Sequence, residues 1–432
     1  MQRRTALTAM LAATAATLTG CATSGGGSSS DDTDANGTVH LKFQSLAFAD
    51  TTVAQTKKAV QAWNAQHPKV QIKLIQGSWD NVHDQLVTQL AGGTAPDIIH
   101  DETSDIIGFA QQDYFADLKP YLSSSLRGNV SDGVWGSLTV GGKVIAVPTL
   151  QQTYVVFANT TAFGKAGVPV PSGKSLSWDE FRSMAKKLTG KGSHGLGWGL
   201  KQPAATVLNM SANFDAKWFR TSGGTTEITV GTAEMQVPQR IHAMAYEDKS
   251  IDLTSLTQSG GDVLPGFYAG KYAMMVAGSY VAQQIQEQAP KGFRWAVLPP
   301  LAGTSTAQPA GSQTLSVSKA TKHVKEAAQF IDYFVADANL AKLAQSDWLI
   351  PATASARTAV REQTGGKDGW GQILVSGENS VDAPFLHAKD YPQWKDQIAT
   401  PALQRYLAND ISASKLASQL TQGWKQVAGG GH

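Results

Sequence analysis

The stretch from Thr38 to His100 switches repeatedly between two hydrophobic periods, and that switching constrains the fold more than any other feature. "TVHLKFQS" (38–45) puts Val39, Leu41 and Phe43 on one side and His40, Lys42 and Gln44 on the other, the period of a strand. Thr52 and Gln55 can form a capping box for a following helix, with Val53, Val60 and Trp63 as its buried stripe, Ala59 alongside, and Pro68 ending it. "VQIKLI" (70–75) is a second strand. Asp80 can cap a helix whose Val82, Leu86, Val87 and Leu90 share a face, and "PDIIH" (96–100) is a third strand. Strand, helix, strand, helix, strand in one run implies a parallel sheet covered by helices.

The pattern continues. "GKVIAVPT" (142–149) and "TYVVFAN" (153–159) read as strands with Gln151 and Gln152 between them. A helix starts at Trp178, with Ser177 and Glu180 as its capping box and Lys186 and Lys187 in its last turn. Helices are expected over 203–213, 238–248 (Pro238 in the first turn), 262–270 and 279–288, and strands at "YAMMVAG" (272–278), "FRWAVLP" (293–299) and "TLSVS" (314–318). Val324, Ala327, Ala328, Ile331, Phe334 and Val335 mark an amphipathic helix, and the chain after Trp348 reads as mostly helical, with no internal repeat.

The N-terminus has a different character. Arg3 and Arg4 form a positive tip, and Ala6 to Leu18 are uncharged and apolar or small. That is a secretory signal pattern, too short for a permanent membrane span. Leu18-Thr19-Gly20-Cys21 resembles a bacterial lipobox, which implies that Cys21 takes a diacylglycerol and becomes the new N-terminus. Arg3-Arg4 with Leu7 also loosely resembles a twin-arginine signal. Two or three acyl chains hold a protein on a membrane stably where one does not. Residues 22–37 are small, polar and acidic and read as a leash reaching roughly 50 Å when stretched. Cys21 is the only cysteine, so no internal disulfide is expected. The remaining ~390 residues suffice for two lobes. A hydrophobic content of 42% and a net charge of +2, with no basic stripe, fit a soluble globular body and argue against nucleic acid as a partner.

Five segments in register resemble one family. They are "AGGTAPDII" (91–99), "GKVIAVPTLQQTYVVFANTTAFGKAGV" (142–168), "SWDEFRSMAKKLT" (177–189), "YAGKYAMMVAGSY" (268–280) and "GSQTLSVSKATKHVKEAAQFIDYFV" (311–335). Together they are similar to the extracellular solute-binding proteins of bacterial ABC importers, in the carbohydrate-binding group, over about residues 38–350. The resemblance implies an α/β fold of the two-lobed periplasmic-binding-protein type (type II). Each lobe is a mainly parallel sheet flanked by helices, and a hinge joining them is crossed more than once. The expected division is a signal peptide at 1–20, the lipidated cysteine and linker at 21–37, a first lobe of 38–150 with 299–340, and a second lobe of 151–298 with 341–428. Further implications are a sugar in the inter-lobe cleft, permease subunits of an ABC transporter as partners, a monomer tethered outside the cell by its lipid, and no cofactor or metal.

A sugar presents hydroxyls that donate and accept, and flat C–H patches that lie on aromatic rings, so its site needs carboxylates and amides at the edge and Trp or Tyr beneath. Asp101 and Glu102 follow the third strand and are candidates to grip a diol; a solvated loop or a helix N-terminus is the alternative for them. A metal site at His100 and Asp101 has no partners at matched spacing. Gln44 and Ser45 end the first strand and are expected to face the cleft. Trp79 either stacks on ligand or staples its helix. Gln151, Gln152 and Tyr154 lie on the crossover, as ligand contacts or hinge bonds. Gly278-Ser279-Tyr280 stands where the family has Gly-Ser-Trp, so Ser279 and Tyr280 are candidates, with less ring area. Trp198 lies in "GLGWGLK", whose glycines are expected to leave its ring exposed on one side; Trp218 is surface or site, and Trp348 and Trp394 are core or platform. Gly311 and Ser312 offer backbone amides to a hydroxyl.

Other functions are weighed against this one. Glycosidases use two separated carboxylates, whereas Asp101 and Glu102 are adjacent, and no G-x-S-x-G, H-E-x-x-H or phosphate loop is present. A secreted carbohydrate-active enzyme is therefore the weaker reading. A binder of peptide, polyol phosphate, metal or another non-sugar solute is the nearer one. A structural or adhesive lipoprotein predicts repeats, which are absent.

Overall fold

β1 (Val39–Ser45) forms at the period-two run, with Leu41 and Phe43 fully buried. Phe43 meets the rings of Phe330 and Phe334 edge-on at 5.5 and 5.4 Å; burying such a ring contributes roughly 1.5–3 kcal/mol. α1 (Asp50–Gln66), β2 (Val70–Gln76), α2 (Val82–Ala91), β3 (Ile98–Glu102) and α3 (Thr103–Gln111) follow, and β1 pairs in parallel with both β2 and β3. The computed structural model describes residues 33–222, 225–309 and 311–429; Cys21, the signal segment and most of the linker lie outside the described residues.

Two local expectations are corrected. α1 begins at Asp50 with Ala49 as an N-cap that makes no side-chain bond. Thr52 sits inside its first turn and donates to Asp347 Oδ1 at 3.2 Å, so a tertiary partner has displaced the capping box. Asn81, not Asp80, is the N-cap of α2, and Asp80 accepts from Ser78 Oγ instead.

β4 (Val147–Gln152) lies in the first sheet and β5 (Tyr154–Asn159) in the second, with Thr153 alone between them. α4 (Trp178–Lys187) has the expected Ser177–Glu180 capping box, and β6 (His194–Trp198) follows. α5 (Thr232–Tyr246) starts six residues before Pro238, because Glu234 reaches back to the Gly231 N–H at 2.9 Å and caps the helix there. β7 (Tyr272–Gly278), α6 (Val281–Gln288) and β8 (Trp295–Val297) complete this part. The chain then returns through β9 (Gln308–Pro309) to β10 (Gly311–Val317), α7 (Val324–Phe334), α8 (Asp337–Asp347), β11 (Ile350–Pro351) and α9 (Trp370–Ser376), and leaves again at β12 (Ser380–Val381).

The first sheet has the order β11-β4-β10-β3-β1-β2 and the second β8-β5-β7-β6. Most strands of each sheet run one way. β10 and β11 are reversed in the first, and β5 in the second. In the second sheet Val155, Phe157, Met275 and Ala277 face a core shared with the first lobe through Trp370, Ile373 and Leu374 of α9. Val156, Ala158, Met274 and Val276 face a separate core. Burial on both faces explains the unbroken apolar run at 272–278.

The expected lobe boundary at residue 340 is corrected. α8 buries Leu340, Ala341, Leu343 and Ala344 in the first core, and β11 is an edge strand of the first sheet. The chain therefore stays with the first lobe through α8 and β11. The second core is rejoined at Ala383 and Phe385.

Candidate functional site

The three passages between lobes are bonded to one another. Gln308 accepts the Tyr154 N–H at 2.8 Å and donates to the Tyr154 carbonyl at 2.9 Å. β9 pairs with β12, and Thr153 Oγ1 lies 2.6 Å from Ser376 Oγ. The Ser279 N–H donates to the Thr153 carbonyl at 2.8 Å, which ties β7 to the same point. Beside this seam a cleft of about 850 Å³ opens between the lobes.

The first-lobe wall carries Phe48, Asp50, Trp79, Glu102, Gln152, Gln313 and Asp347; the opposite wall carries Tyr154, Asn209, Tyr280, Gln284, Glu287, Phe385 and Lys395. Strand alternation separates Asp101 from Glu102, because neighbours on a strand point to opposite faces. Glu102 opens into the cleft while Asp101 is 1% exposed. Glu102 is open to the cleft space but walled by both lobes, and that burial pushes its carboxyl up. Burial likewise raises the Tyr280 and Tyr154 hydroxyls. Asp101 Oδ1 accepts the Glu102 N–H at 2.8 Å, and burial, with Asp105 nearby, pushes its carboxyl up.

Gly278 seats Tyr280. A Cβ there would stand 2.4 Å from Tyr280 Cε1, so only glycine lets the ring fold back against the end of β7. From Tyr280, helical spacing carries Gln283, Gln284 and Glu287 along the same cleft wall.

Beneath the first-lobe wall lies His100. Its Nδ1 accepts the Leu46 N–H at 3.0 Å, which leaves the proton on Nε2 to donate to Gln313 Oε1 at 3.2 Å. Gln313 lies beside the Asp347 carboxylate, which accepts from Thr52 Oγ1 at 3.2 Å. Trp79 lies edge-on to the His100 ring at 5.6 Å. Burial pushes the imidazole down to about 4, so it is neutral.

Of the residues singled out in the sequence, Trp79, Glu102, Gln152, Tyr154, Tyr280, Gly311 and Ser312 come together on the cleft. The others do not. Gln44 and Ser45 are each 1% exposed, since the chain stays sunk through Leu46 and Ala47 and first reaches the cleft at Phe48. Gln151 is buried and donates to Ser312 Oγ, and Ser279 is buried at the seam. The glycines around Trp198 do the opposite of what was expected. Cβ atoms at Gly195 and Gly197 would stand 1.8 Å from the Ala185 carbonyl and 2.6 Å from the Tyr272 ring. Those glycines admit close neighbours on their own face of β6, while Trp198, on the opposite face, is buried and stacks on Trp178. Trp218 and Trp394 are core residues, and Trp394 donates to the Leu420 carbonyl at 3.0 Å. Trp348 turns its ring onto Trp370, 5.1 Å away, although its neighbours Asp347 and Leu349 line the cleft.

Phe48, Gln313, Asp347, Glu287 and Lys395 were not anticipated. The Tyr280 helical face would have found Glu287; nothing local marks Asp347, which reaches the site only because α8 packs on α1.

Comparison with known proteins gives a consistent result. The "uncharacterized lipoprotein in oleD 5'region" of Streptomyces antibioticus is 40% identical over 430 residues, 98% of this chain and 92% of the relative. The "multiple sugar-binding protein" of Streptococcus mutans is 26% identical over 296 residues, 65% of this chain and 67% of the relative. The crystal structure of the cyclic alpha-maltosyl-1,6-maltose binding protein from Arthrobacter globiformis shares the fold, with a TM-score of 0.77 at 16% identity, over 91% of this chain and all of that one. The family model described as bacterial extracellular solute-binding protein matches residues 49–341. With two lobes, a bonded three-passage seam and a cleft between them, this chain belongs to the bacterial extracellular solute-binding protein family.

Proposed function

We propose that the protein is an extracytoplasmic lipoprotein that captures a mono- or oligosaccharide in its inter-lobe cleft and delivers it to the permease subunits of an ABC transporter. The observation that carries this reading is the wall chemistry. Rings of Trp79 and Tyr280 lie beside Glu102, Gln152 and Gln313 in one cleft, which supplies both the flat apolar faces and the hydrogen-bonding edges that a sugar needs. The names of relatives that bind maltodextrin or multiple sugars support it. Closure follows if ligand touches both walls at once, since only that gives it higher affinity for the closed form. The cleft works as a receptor and not as a catalyst, with Cys21 as the membrane attachment.

Thermal unfolding of the full-length protein against a panel of sugars tests this. A ligand at 100 times its Kd adds about 2.7 kcal/mol of stability. A sugar should raise the melting temperature, and Tyr280→Ala should abolish the rise while the unliganded melt is kept. Shifts by peptides or metal ions alone would refute the sugar reading, and release of reducing ends on long incubation would indicate an enzyme. Cys21→Ser should release the protein from the membrane fraction.

A further inference from the structure

The charges lining the cleft are unbalanced. Asp50, Glu102, Glu287 and Asp347 face one cationic side chain, Lys395, which itself lies 3.4 Å from Asp396. Among the described residues, no Lys, Arg or His nitrogen comes within ion-pair distance of any of these four carboxylates. At least three negative charges are therefore uncompensated by the lining itself. They stand on both lobes, Glu287 on α6 and the other three on the first lobe.

Closure over a neutral solute would bring these like charges together while removing water from them, and both effects oppose closing. A solute carrying a positive charge reverses both. Asp347 is the carboxylate best prepared to meet one. Thr52 fixes its orientation by donating to Oδ1 at 3.2 Å, and Gln313, whose amide oxygen accepts from neutral His100, lies beside it on the cleft lining. All of these partners are uncharged. Burial raises the Asp347 carboxyl, which is the cost of an ion without a counter-ion, and a ligand ammonium would remove that cost. The ring faces of Trp79 and Tyr280 attract a cation further.

We infer that the cleft holds an ammonium subsite centred on Asp347, so that the solute is a sugar bearing at least one protonated amine. This rests on the sugar-binding reading above and narrows its ligand class.

The test is calorimetric binding of the full-length protein to the glucosamine trimer and to its neutral N-acetylated counterpart. The aminated trimer should bind at least about tenfold tighter, the scale of a hydrogen bond to a charged group, and its advantage should shrink as salt is raised. Asp347→Asn should lower the ratio of the two affinities about tenfold. If that variant unfolds, Glu287→Gln, whose carboxylate accepts only from Gln283, should lower the ratio in the same direction. Equal affinities, preference for the neutral trimer, or a ratio unmoved by the folded variant would overturn the ammonium subsite while leaving sugar binding intact. If no sugar binds, the sugar reading itself fails and the inference fails with it.

Discussion

Thr153 and Ser376 stand 223 positions apart, yet their hydroxyl oxygens lie 2.6 Å from each other inside the seam between the lobes. Ser376 Oγ also donates to the Ile373 carbonyl at 2.6 Å. A serine has one hydroxyl proton, so Thr153 is the donor of the pair. The single residue separating β4 from β5 is thereby fastened to the end of α9. A hinge needs this, because the lobes can rotate only about points that do not slide.

The direction of that bond makes the two truncations unequal. Thr153→Val removes a donor and leaves Ser376 with its bond to Ile373, at a cost of about 1 kcal/mol. Ser376→Ala strands the Thr153 hydroxyl and frees the Ile373 carbonyl in a buried place, at a cost of about 2–3 kcal/mol. Urea unfolding of the two variants checks the order, and equal costs would contradict the donor assignment.

The tryptophans divide by role. Trp198→Ala and Trp394→Ala empty packed volume and should cost about 3–5 kcal/mol, with ligand affinity of the folded fraction unchanged. Trp79→Ala, on a half-buried ring at the cleft, should cost less stability and weaken ligand binding. Gly278→Ala should also weaken binding with modest loss of stability, because its methyl group displaces the Tyr280 ring. Paired melting and titration of each variant separates these outcomes.

Much of this architecture could be read from periodicity, because local pattern and burial agree along β1, α4 and β7. The cleft was legible where a strand end delivers a side chain directly, as at Glu102 and Tyr280. It was not legible where delivery depends on long-range packing. Asp347 arrives through the α1–α8 contact, and Gln44 stays covered because the next two residues do. Trp198 was misjudged because a glycine leaves the same gap in a sequence whether solvent or a neighbouring backbone fills it. The boundary at residue 340 failed for a related reason: helices after β10 carry no local mark of the lobe they will cover.

His100 makes stability depend on pH with a definite sign. Its folded value lies near 4, below the ~6.5 of an unfolded histidine, so between these values the unfolded chain binds the extra proton. Stability is thus full above about pH 6.5 and falls as the pH drops toward 4, by on the order of 3 kcal/mol. His100→Asn, whose amide oxygen can accept the Leu46 N–H, should flatten this part of the profile. Urea midpoints measured between pH 4 and 7 decide it; an unchanged slope in the variant would mean that His100 titrates normally.

Asp101 acts in the opposite sense. Burial and the adjacent Asp105 raise its folded value above that of an unfolded aspartate, so the native state keeps a proton that the unfolded chain gives up above about pH 4. Its contribution is full below that pH and is lost as the pH rises toward its folded value. Asp101→Asn keeps the acceptor for the Glu102 N–H and supplies an N–H where the carboxylic proton stood, with nothing left to titrate. The variant should therefore match the parent near pH 4 and exceed it at pH 8, the gap widening as the pH rises between the two. Unfolding of the two proteins at both pH values provides the measurement. A variant less stable than the parent at pH 8 would mean that Asp101 is ionised in the folded protein and held by a cation that the geometry around β3 does not contain.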